Sequence, residues 1–366
     1  MLDPILARQR QKRLLDRLSE HSLDCVVISQ PHHVQYLTAH HPAWRHLPAL
    51  ILRSDGRATL ISANAPAKNV AADEVIAYRA NLGGTLRQDQ AATVIELLKD
   101  QIASSKRIGF DSSETSAAMM SSLIGDKAYI CIDDHLWQLR RTKDADELTL
   151  MKKAIDATAA MYARAREIIE PGVSETYVFN ELHAAAVQST GEPMTALLGN
   201  DYACGTGGGL PRAGRRAQDG ELYILDIGPT YRGYFADNAR VFAVGGKPTD
   251  EQLSAWQMIV DVFPIVERLA RPGASCRDIY AAVDEHFAGR NMGRKQGHHL
   301  GHGIGLQAHE YPHLNPAWDD VLIEGEIFTC EPGVYLPELR GGLRIENQYL
   351  VTHNGVENLT PFPLAL

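Results

Sequence analysis

Residues 222–245 read LYILDIGPTYRGYFADNARVFAVG. Two apolar stretches flank a turn containing Gly228, Pro229 and Gly233, the pattern of an antiparallel hairpin. Asp226 and Asp237 stand on its two arms. With a symmetric register, centred between Tyr231 and Arg232, the two carboxylates become cross-strand neighbours with Cβ atoms about 5 Å apart. Carboxylates that close on a buried strand pair repel one another. Something must compensate, and a divalent cation is the usual solution.

Residues 327–352, IFTCEPGVYLPELRGGLRIENQYLVT, repeat the device. Glu331 and Glu346 lie on two strands around a turn near 336–342, with their midpoint between Glu338 and Leu339. Between the two hairpins lies GHHLGHGIGLQAHEYPH (297–313), which holds five of the fifteen histidines. Its glycines at 297, 301, 303 and 305 prevent a long helix and allow close backbone approach. Four carboxylates and a histidine are too acidic a set for a structural zinc site. They suit two adjacent divalent ions bridged by carboxylates, which together activate a water and polarise a carbonyl.

The surrounding sequence divides in two. Residues 5–20 read as an amphipathic helix, 25–29, 49–54, 58–62 and 107–111 as strands, and 89–105 and 114–124 as helices. This is a small α/β domain, assigned to 1–138, whose conspicuous polar feature is the histidines at 32, 33, 40, 41 and 46. That stretch, with Trp44 and Arg45, reads as a loop of exposed or internally satisfied side chains. The charged stretch 139–146 is a linker. From 147 to 366 a second domain begins with a helix stopped by Pro171-Gly172, and Ser174 caps the next, which ends by Gly191. Thr249-Asp250-Glu251-Gln252 is a capping box opening a long helix that Pro272-Gly273 stops, and another helix starts near Ser275. Pro171-Gly172-Val173-Ser174 and Pro272-Gly273-Ala274-Ser275 are a weak internal repeat. Each lies between two helices followed by strands with paired acids, so the second domain reads as two related halves.

Lysine plus arginine number 36 and aspartate plus glutamate 45, a net charge of −9, which argues against nucleic acid or an anionic membrane as the main partner. No apolar run is long enough to span a bilayer, and the charged N-terminus does not read as a signal peptide. Five widely spaced cysteines suggest neither a disulfide framework nor a cysteine zinc site. A reducing cytoplasm is the expected location.

Taken together, the motifs Leu225-Asp226-Ile227-Gly228, Gly233-Tyr234-Phe235-Ala236-Asp237, Gly301-His302-Gly303-Ile304-Gly305-Leu306, His309-Glu310-Tyr311-Pro312, Glu331-Pro332-Gly333-Val334-Tyr335 and Leu343-Arg344-Ile345-Glu346-Asn347 resemble those of the pita-bread metallohydrolases. That family includes prolidase, aminopeptidase P, methionine aminopeptidase and the metal-free creatinase. The resemblance covers the whole chain. It implies an α+β architecture: a creatinase-like N-terminal α/β domain and a pita-bread catalytic domain with pseudo-twofold halves. It further implies five metal ligands, Asp226, Asp237, His302, Glu331 and Glu346. Asp237 and Glu346 would bridge two ions, Asp226 would hold one, and His302 and Glu331 the other. His298 and His309 match substrate-side histidines, the latter stabilising the tetrahedral intermediate. Arg344 matches an arginine that orients the acids. The implied mechanism is attack of a metal-bridging hydroxide on the scissile carbonyl, with Glu331 shuttling the proton. Carboxylate-rich ligation points to Mn²⁺, with Co²⁺, Fe²⁺ and Zn²⁺ as other occupants. A homodimer is a further implication, and in it the alternative to the plain loop reading of the histidines at 32–46 is that they reach the active site of a partner subunit.

Two positions depart from the family pattern. Arg212, in Gly208-Gly209-Leu210-Pro211-Arg212, stands where prolidases and aminopeptidases P have a histidine, and is expected either to bind a substrate carboxylate or to mark a different substrate. Ala239, in Asn238-Ala239-Arg240, stands where the family has threonine. The expected activity is that of an Xaa-Pro dipeptidase. The alternatives are an Xaa-Pro aminopeptidase, a C–N hydrolase or lyase acting on a small metabolite, as ectoine hydrolase and a sulfoniopropionate lyase of this fold do, or a non-enzymatic peptide-binding module. His309-Glu310-Tyr311-Pro312-His313 fits H-E-x-x-H, but Pro312 breaks the helix that a zincin needs. The glycine-rich stretch 205–209 lacks phosphate-loop spacing and reads as a mobile substrate loop. His299 and His313 read as surface groups or neighbours of the ligands.

Overall fold

A computed structural model describes the chain except for residues 43–45, 81–88, 197–198 and 290–297. Trp44, Arg45 and Gly297 lie outside the described residues. The chain divides into two units, Met1–Arg140 and Arg141–Leu366.

The first unit is built on a mixed sheet of β1 (Cys25–Ile28), β2 (Ala49–Arg53), β3 (Ala58–Ala63), β4 (Glu74–Tyr78), β5 (Arg107–Phe110) and β6 (Ala128–Cys131). Their spatial order is β4-β3-β2-β1-β5-β6. The helices are α1 (Pro4–Arg17), α2 (Pro31–Thr38), α3 (Gln90–Gln101), α4 (Ala117–Ile124) and α5 (Asp133–Arg140). The central strands are apolar on consecutive residues because both faces are covered. On one face Val94, Leu98, Met119 and Leu123 of α3 and α4 pack with Val27, Ile51, Ile61 and Ile108.

Helix α2 occupies part of the stretch expected as a loop. Pro31 opens it, and the cap comes from far away in sequence. The buried Asp111 carboxylate accepts from the backbone N–H groups of Ser29 and Gln30 at 2.9 and 2.8 Å. A distant carboxylate at a helix N-terminus satisfies orphan donors, and no local pattern announces it. His33, within α2, is buried with Nδ1 3.3 Å from the same carboxylate.

In the second unit α6 (Ala145–Ile168) and α7 (Glu175–Thr190) precede β7 (Gly199–Cys204), β8 (Leu222–Ile227), β9 (Thr230–Tyr231), β10 (Tyr234–Phe235) and β11 (Asn238–Ala243). Next come α8 (Asp250–Val260), α9 (Val262–Leu269) and α10 (Cys276–Ala288). The chain ends with β12 (Gly301–Gly303), β13 (Glu310–Leu314), β14 (Ile327–Cys330), β15 (Gly333–Val334), β16 (Leu343–Arg344), β17 (Asn347–Val351) and β18 (Val356–Asn358). The larger sheets run β11-β8-β7 and β13-β12-β14-β17-β18.

The internal repeat is structural. Gly172 N donates to Ala217 O and Gly273 N to Leu322 O, both at 2.8 Å; Ala217 N and Leu322 N return bonds to Val173 O and Ala274 O at 2.9 Å. Ser174 and Ser275 then cap α7 and α10. Each half thus ties its proline-glycine turn to the chain that leads into its own sheet. The capping box at Thr249 and Gln252 forms as expected. The long helix expected after it is two, α8 and α9. Pro264 has no N–H to offer the Val260 carbonyl and its ring crowds that group, which breaks the helix at Asp261.

Candidate metal centre

Strand β8 is buried at every residue. Leu222 and Ile224 enter the core shared with α8–α10, while Tyr223, Leu225 and Ile227 face the core under α6 and α7. Asp226 therefore sits where neither face reaches bulk water, on the Leu222–Ile224 side.

The register differs from the symmetric expectation. Asp226 faces Ala239, not Asp237. Tyr231 pairs with Tyr234, closing a two-residue turn in which Arg232 and Gly233 have φ of 51° and 87°, the signature of a type I′ turn. The hairpin centre lies one residue further along than expected, and every pair shifts by two positions. Side chains alternate with period two, so Asp237 stays on the face of Asp226, one pair along the strand. On the other side of β8, Asp201 of β7 faces Asp226.

The second hairpin keeps the expected register. Cys330 pairs with Asn347, and beyond the interruption Gly333 pairs with Arg344, which sets Glu331 opposite Glu346. His302 enters from β12 between two glycines that have no room for a side chain. A Cβ on Gly301 would lie 1.8 Å from Thr329 O, and one on Gly303 1.8 Å from Tyr311 O. The backbone there is wedged between neighbouring strands, which fixes the direction of the imidazole.

Asp226, Asp237, His302, Glu331 and Glu346 are all buried. Burial, reinforced by the neighbouring carboxylates, pushes Asp237 and Glu346 well above the usual carboxylate range, and burial raises Asp226. Burial also acts to raise Glu331, but the His299 hydrogen bond, His302 and Arg344 outweigh it and bring that carboxyl to about 2. His302 Nδ1 lies 2.9 Å from Gly303 O and donates to it. The Nε2 lone pair then faces Glu331 Oε1 at 3.4 Å and Asp237 Oδ2 at 3.7 Å. A proton does not reconcile them, because burial pushes this imidazole down to about 3. Asp226 Oδ1 and Glu346 Oε1 are buried without a hydrogen-bond partner. Donor atoms of Asp237, His302 and Glu346 lie within 4.8 Å of one another. Orphaned carboxylate oxygens and an imidazole lone pair buried in one acid cluster fit a divalent cation.

Arg344 supplies a fixed positive charge. One terminal nitrogen lies 2.5 Å from Asp226 Oδ2 and also contacts Asp201 Oδ2. The other donates to Tyr335 Oη at 2.7 Å. His298 Nδ1 donates to His299 O at 2.7 Å, so its Nε2 accepts from the Tyr335 hydroxyl at 3.1 Å. Both His298 ring nitrogens are thus engaged within the protein.

His309 is exposed, and its ring lies 4.0 Å from that of His302. Arg212 is turned away from the acids. Its guanidinium grips the fully buried Glu175 carboxylate, with Nη2 2.6 Å from Oε1 and Nε 3.1 Å from Oε2, and it also donates to Cys204 O at 2.6 Å. His313 pairs with Asp320 at 3.1 Å. The H-E-x-x-H residues lie on and beside β13, a strand, as the proline implied. The glycine-rich stretch is pinned: Gly209 N donates to Asp201 Oδ1 at 2.6 Å and Gly342 N to Thr206 O at 2.7 Å.

Sequence reasoning did not reach Asp201 and Tyr335, and it set His299 aside. His299 Nε2 is 2.9 Å from Glu331 Oε1. The available signal was Asp201 on a strand whose neighbour carries an acid, which needs the register to be useful.

Residues 149–353 match the model of metallopeptidase family M24. The chain belongs to that family. Residues 10–141 match the creatinase/prolidase N-terminal domain. An uncharacterized peptidase of Bacillus subtilis is 30% identical to this M24 chain over 290 residues, covering 78% of this chain and 79% of its own. The Xaa-Pro dipeptidase of Pyrococcus horikoshii is 26% identical over 97% of each chain. The solved Xaa-Pro dipeptidase of Bacillus anthracis aligns with a TM-score of 0.84 at 25% identity, covering 98% of this chain and 99% of that one. The M24 chain is thus a metallopeptidase, with the creatinase-like domain and pita-bread domain expected from its motifs. Family membership implies divalent metal ions. Among the described residues no helix is long and apolar enough to cross a membrane.

Proposed function

We propose that this metallopeptidase is a dinuclear Xaa-Pro dipeptidase, hydrolysing the bond before proline in small peptides. The observation that carries the reading is the convergence of Asp226, Asp237, His302, Glu331 and Glu346, buried, with orphaned oxygens on Asp226 and Glu346. Asp237 and Glu346 would bridge two ions; Asp226 would complete one position, and His302 with Glu331 the other. The two ions, when bound, supply Lewis acidity toward the scissile carbonyl and lower the pKa of a water. Glu331 takes the proton of the attacking water and returns it to the leaving imino nitrogen. His309, exposed beside His302, donates to the carbonyl oxygen as it gains charge. Arg344 holds Asp226, and through Tyr335 it fixes the ring of His298 on the substrate side. Arg212 acts on the scaffold through Glu175. The Xaa-Pro dipeptidases among the relatives support the substrate class.

Carboxylate-rich ligation supports Mn²⁺, ahead of Co²⁺, Fe²⁺ and Zn²⁺, and the family resemblance supports a homodimer. Five free cysteines, four of them buried, support a reducing compartment such as the cytoplasm.

The test is hydrolysis of Ala-Pro, Gly-Pro and Ala-Pro-Ala by the Mn²⁺-reconstituted protein beside Asp237→Ala. Cleavage of the dipeptides alone, lost in the variant, is the expected result. Cleavage of the tripeptide transfers the assignment to an aminopeptidase. No cleavage of any of the three with two ions bound overturns the proline reading and directs the search to small C–N substrates.

A further inference from the structure

The five acidic-site residues include one imidazole, yet the structure brings three together. Nitrogens of His299, His302 and His309 lie within 4.8 Å of one another. Ring centroids are 4.0 Å apart for His302 and His309, 5.4 Å for His299 and His302, and 5.6 Å for His299 and His309. His299 Nε2 approaches the same Glu331 Oε1 that faces His302 Nε2, at 2.9 and 3.4 Å. One carboxylate oxygen is therefore flanked by two imidazole nitrogens, with a third ring against one of them.

The backbone explains the gathering. Glu331 N donates to Leu300 O at 2.8 Å, and Leu300 N to Leu314 O at 2.8 Å. Residues 299–302 thus run alongside Glu331, which brings side chains 299 and 302 to its carboxylate. His309 arrives on the link between β12 and β13, where the register shifts after His302.

Imidazole is a borderline donor that favours Zn²⁺ and Co²⁺, whereas Mn²⁺ prefers oxygen. We propose that His299 joins His302 and Glu331 at one cation position, whose two imidazoles make it select Zn²⁺ or Co²⁺, while His309 beside it keeps its place on the substrate side. Asp226, with the shared Asp237 and Glu346, would give the other position oxygen donors alone, which suits Mn²⁺, so the two positions differ in the metal they choose. The inference rests on the dinuclear reading and adds His299 to it.

His299→Gln separates ligation from simple support of Glu331. The glutamine amide still donates to the carboxylate but is a poor metal ligand. Metal-free wild type and variant are titrated calorimetrically with Zn²⁺, Co²⁺ and Mn²⁺, and the visible absorption of the Co²⁺ forms is recorded. The expected result is Zn²⁺ and Co²⁺ affinity at one position weakened about tenfold or more, with Mn²⁺ affinity changed by less than about threefold and the Co²⁺ bands altered. Unchanged Zn²⁺ and Co²⁺ affinity, or equal losses for all three ions, overturns the proposal. His299→Asn gives the same contrast should His299→Gln fail to fold. If the wild type binds only one ion, the dinuclear reading falls, while the imidazole site still stands or falls on the metal contrast.

Discussion

Removing one acid from the cluster should make the metal-free protein more stable. Burial and the neighbouring carboxylates hold Asp237 and Glu346 well above the ordinary range, and burial raises Asp226. In the unfolded chain the same groups titrate near 4. Between the unfolded and folded values the folded state binds more protons, so the stability of the metal-free protein falls as pH rises through that window. Holding such a group charged inside the fold therefore costs stability. Asp237→Asn removes that cost with almost no change in shape. A gain in stability is therefore expected at pH 8, and for a unit the size of Arg141–Leu366 each kcal/mol of it is a rise in Tm of about 2–4 °C. The assay is calorimetry with chelator at pH 5 and pH 8. The metal-free wild type should melt lower at pH 8, and Asp237→Asn should melt above it there, with a smaller gap at pH 5. With Mn²⁺ the order should reverse, because binding stabilises only the chain that retains its donors. A variant that melts below the metal-free wild type at pH 8 refutes the account of an acid cluster held together at a cost.

Other perturbations follow from particular contacts. Arg240 is buried and donates to Ala239 O at 2.8 Å, Asn347 Oδ1 at 2.9 Å and Pro363 O at 3.1 Å; Arg240→Ala should cost about 3–5 kcal/mol in urea unfolding, since several buried acceptors lose their partner at once. Arg212→Ala should change kcat/KM for proline dipeptides less than about threefold, because its guanidinium serves Glu175; a KM raised more than about tenfold would mean that it reads the substrate carboxylate instead. Glu175→Ala should cost more in unfolding free energy than Arg212→Ala, about 2–3 against about 1 kcal/mol. The arginine can turn to water, while the backbone N–H groups of Cys204 and Arg212, bonded at 2.8 and 2.7 Å, lose their acceptor. Asp201→Asn should leave stability within about 1 kcal/mol but weaken metal binding about tenfold in calorimetric titration, because Arg344, no longer shared, then competes for Asp226.

What could be read from the sequence follows the reach of each interaction. The starts of α7, α8 and α10 were legible because their caps lie within three residues of the helix start. The Glu331–Glu346 register was legible because it is symmetric about its turn. The Asp226–Asp237 register was not, because the turn centre is Arg232-Gly233, and an arginine at positive φ is an uncommon way to open a type I′ turn. Helix α2 was missed because its N-terminus is satisfied by Asp111, far along the chain.

The same distinction explains why the acids were visible while their partners were not. An aspartate inside a strand as apolar as LYILDI has no cheap solvation, so its presence alone demands a compensating charge. Asp201, Tyr335 and His299 carry no such mark. Asp201 precedes its strand's apolar residues, Tyr335 follows a two-residue ribbon, and His299 is one histidine among five. Each becomes meaningful only through a cross-chain contact: Asp201 through Arg344, Tyr335 through Arg344 and His298, His299 through Glu331. Arg212 is the converse. Its position in a familiar motif suggested the substrate, whereas Glu175 had already claimed its charge from the first turn of α7. Residue type and spacing identify groups that are expensive to bury, and the fold decides what each of them is spent on.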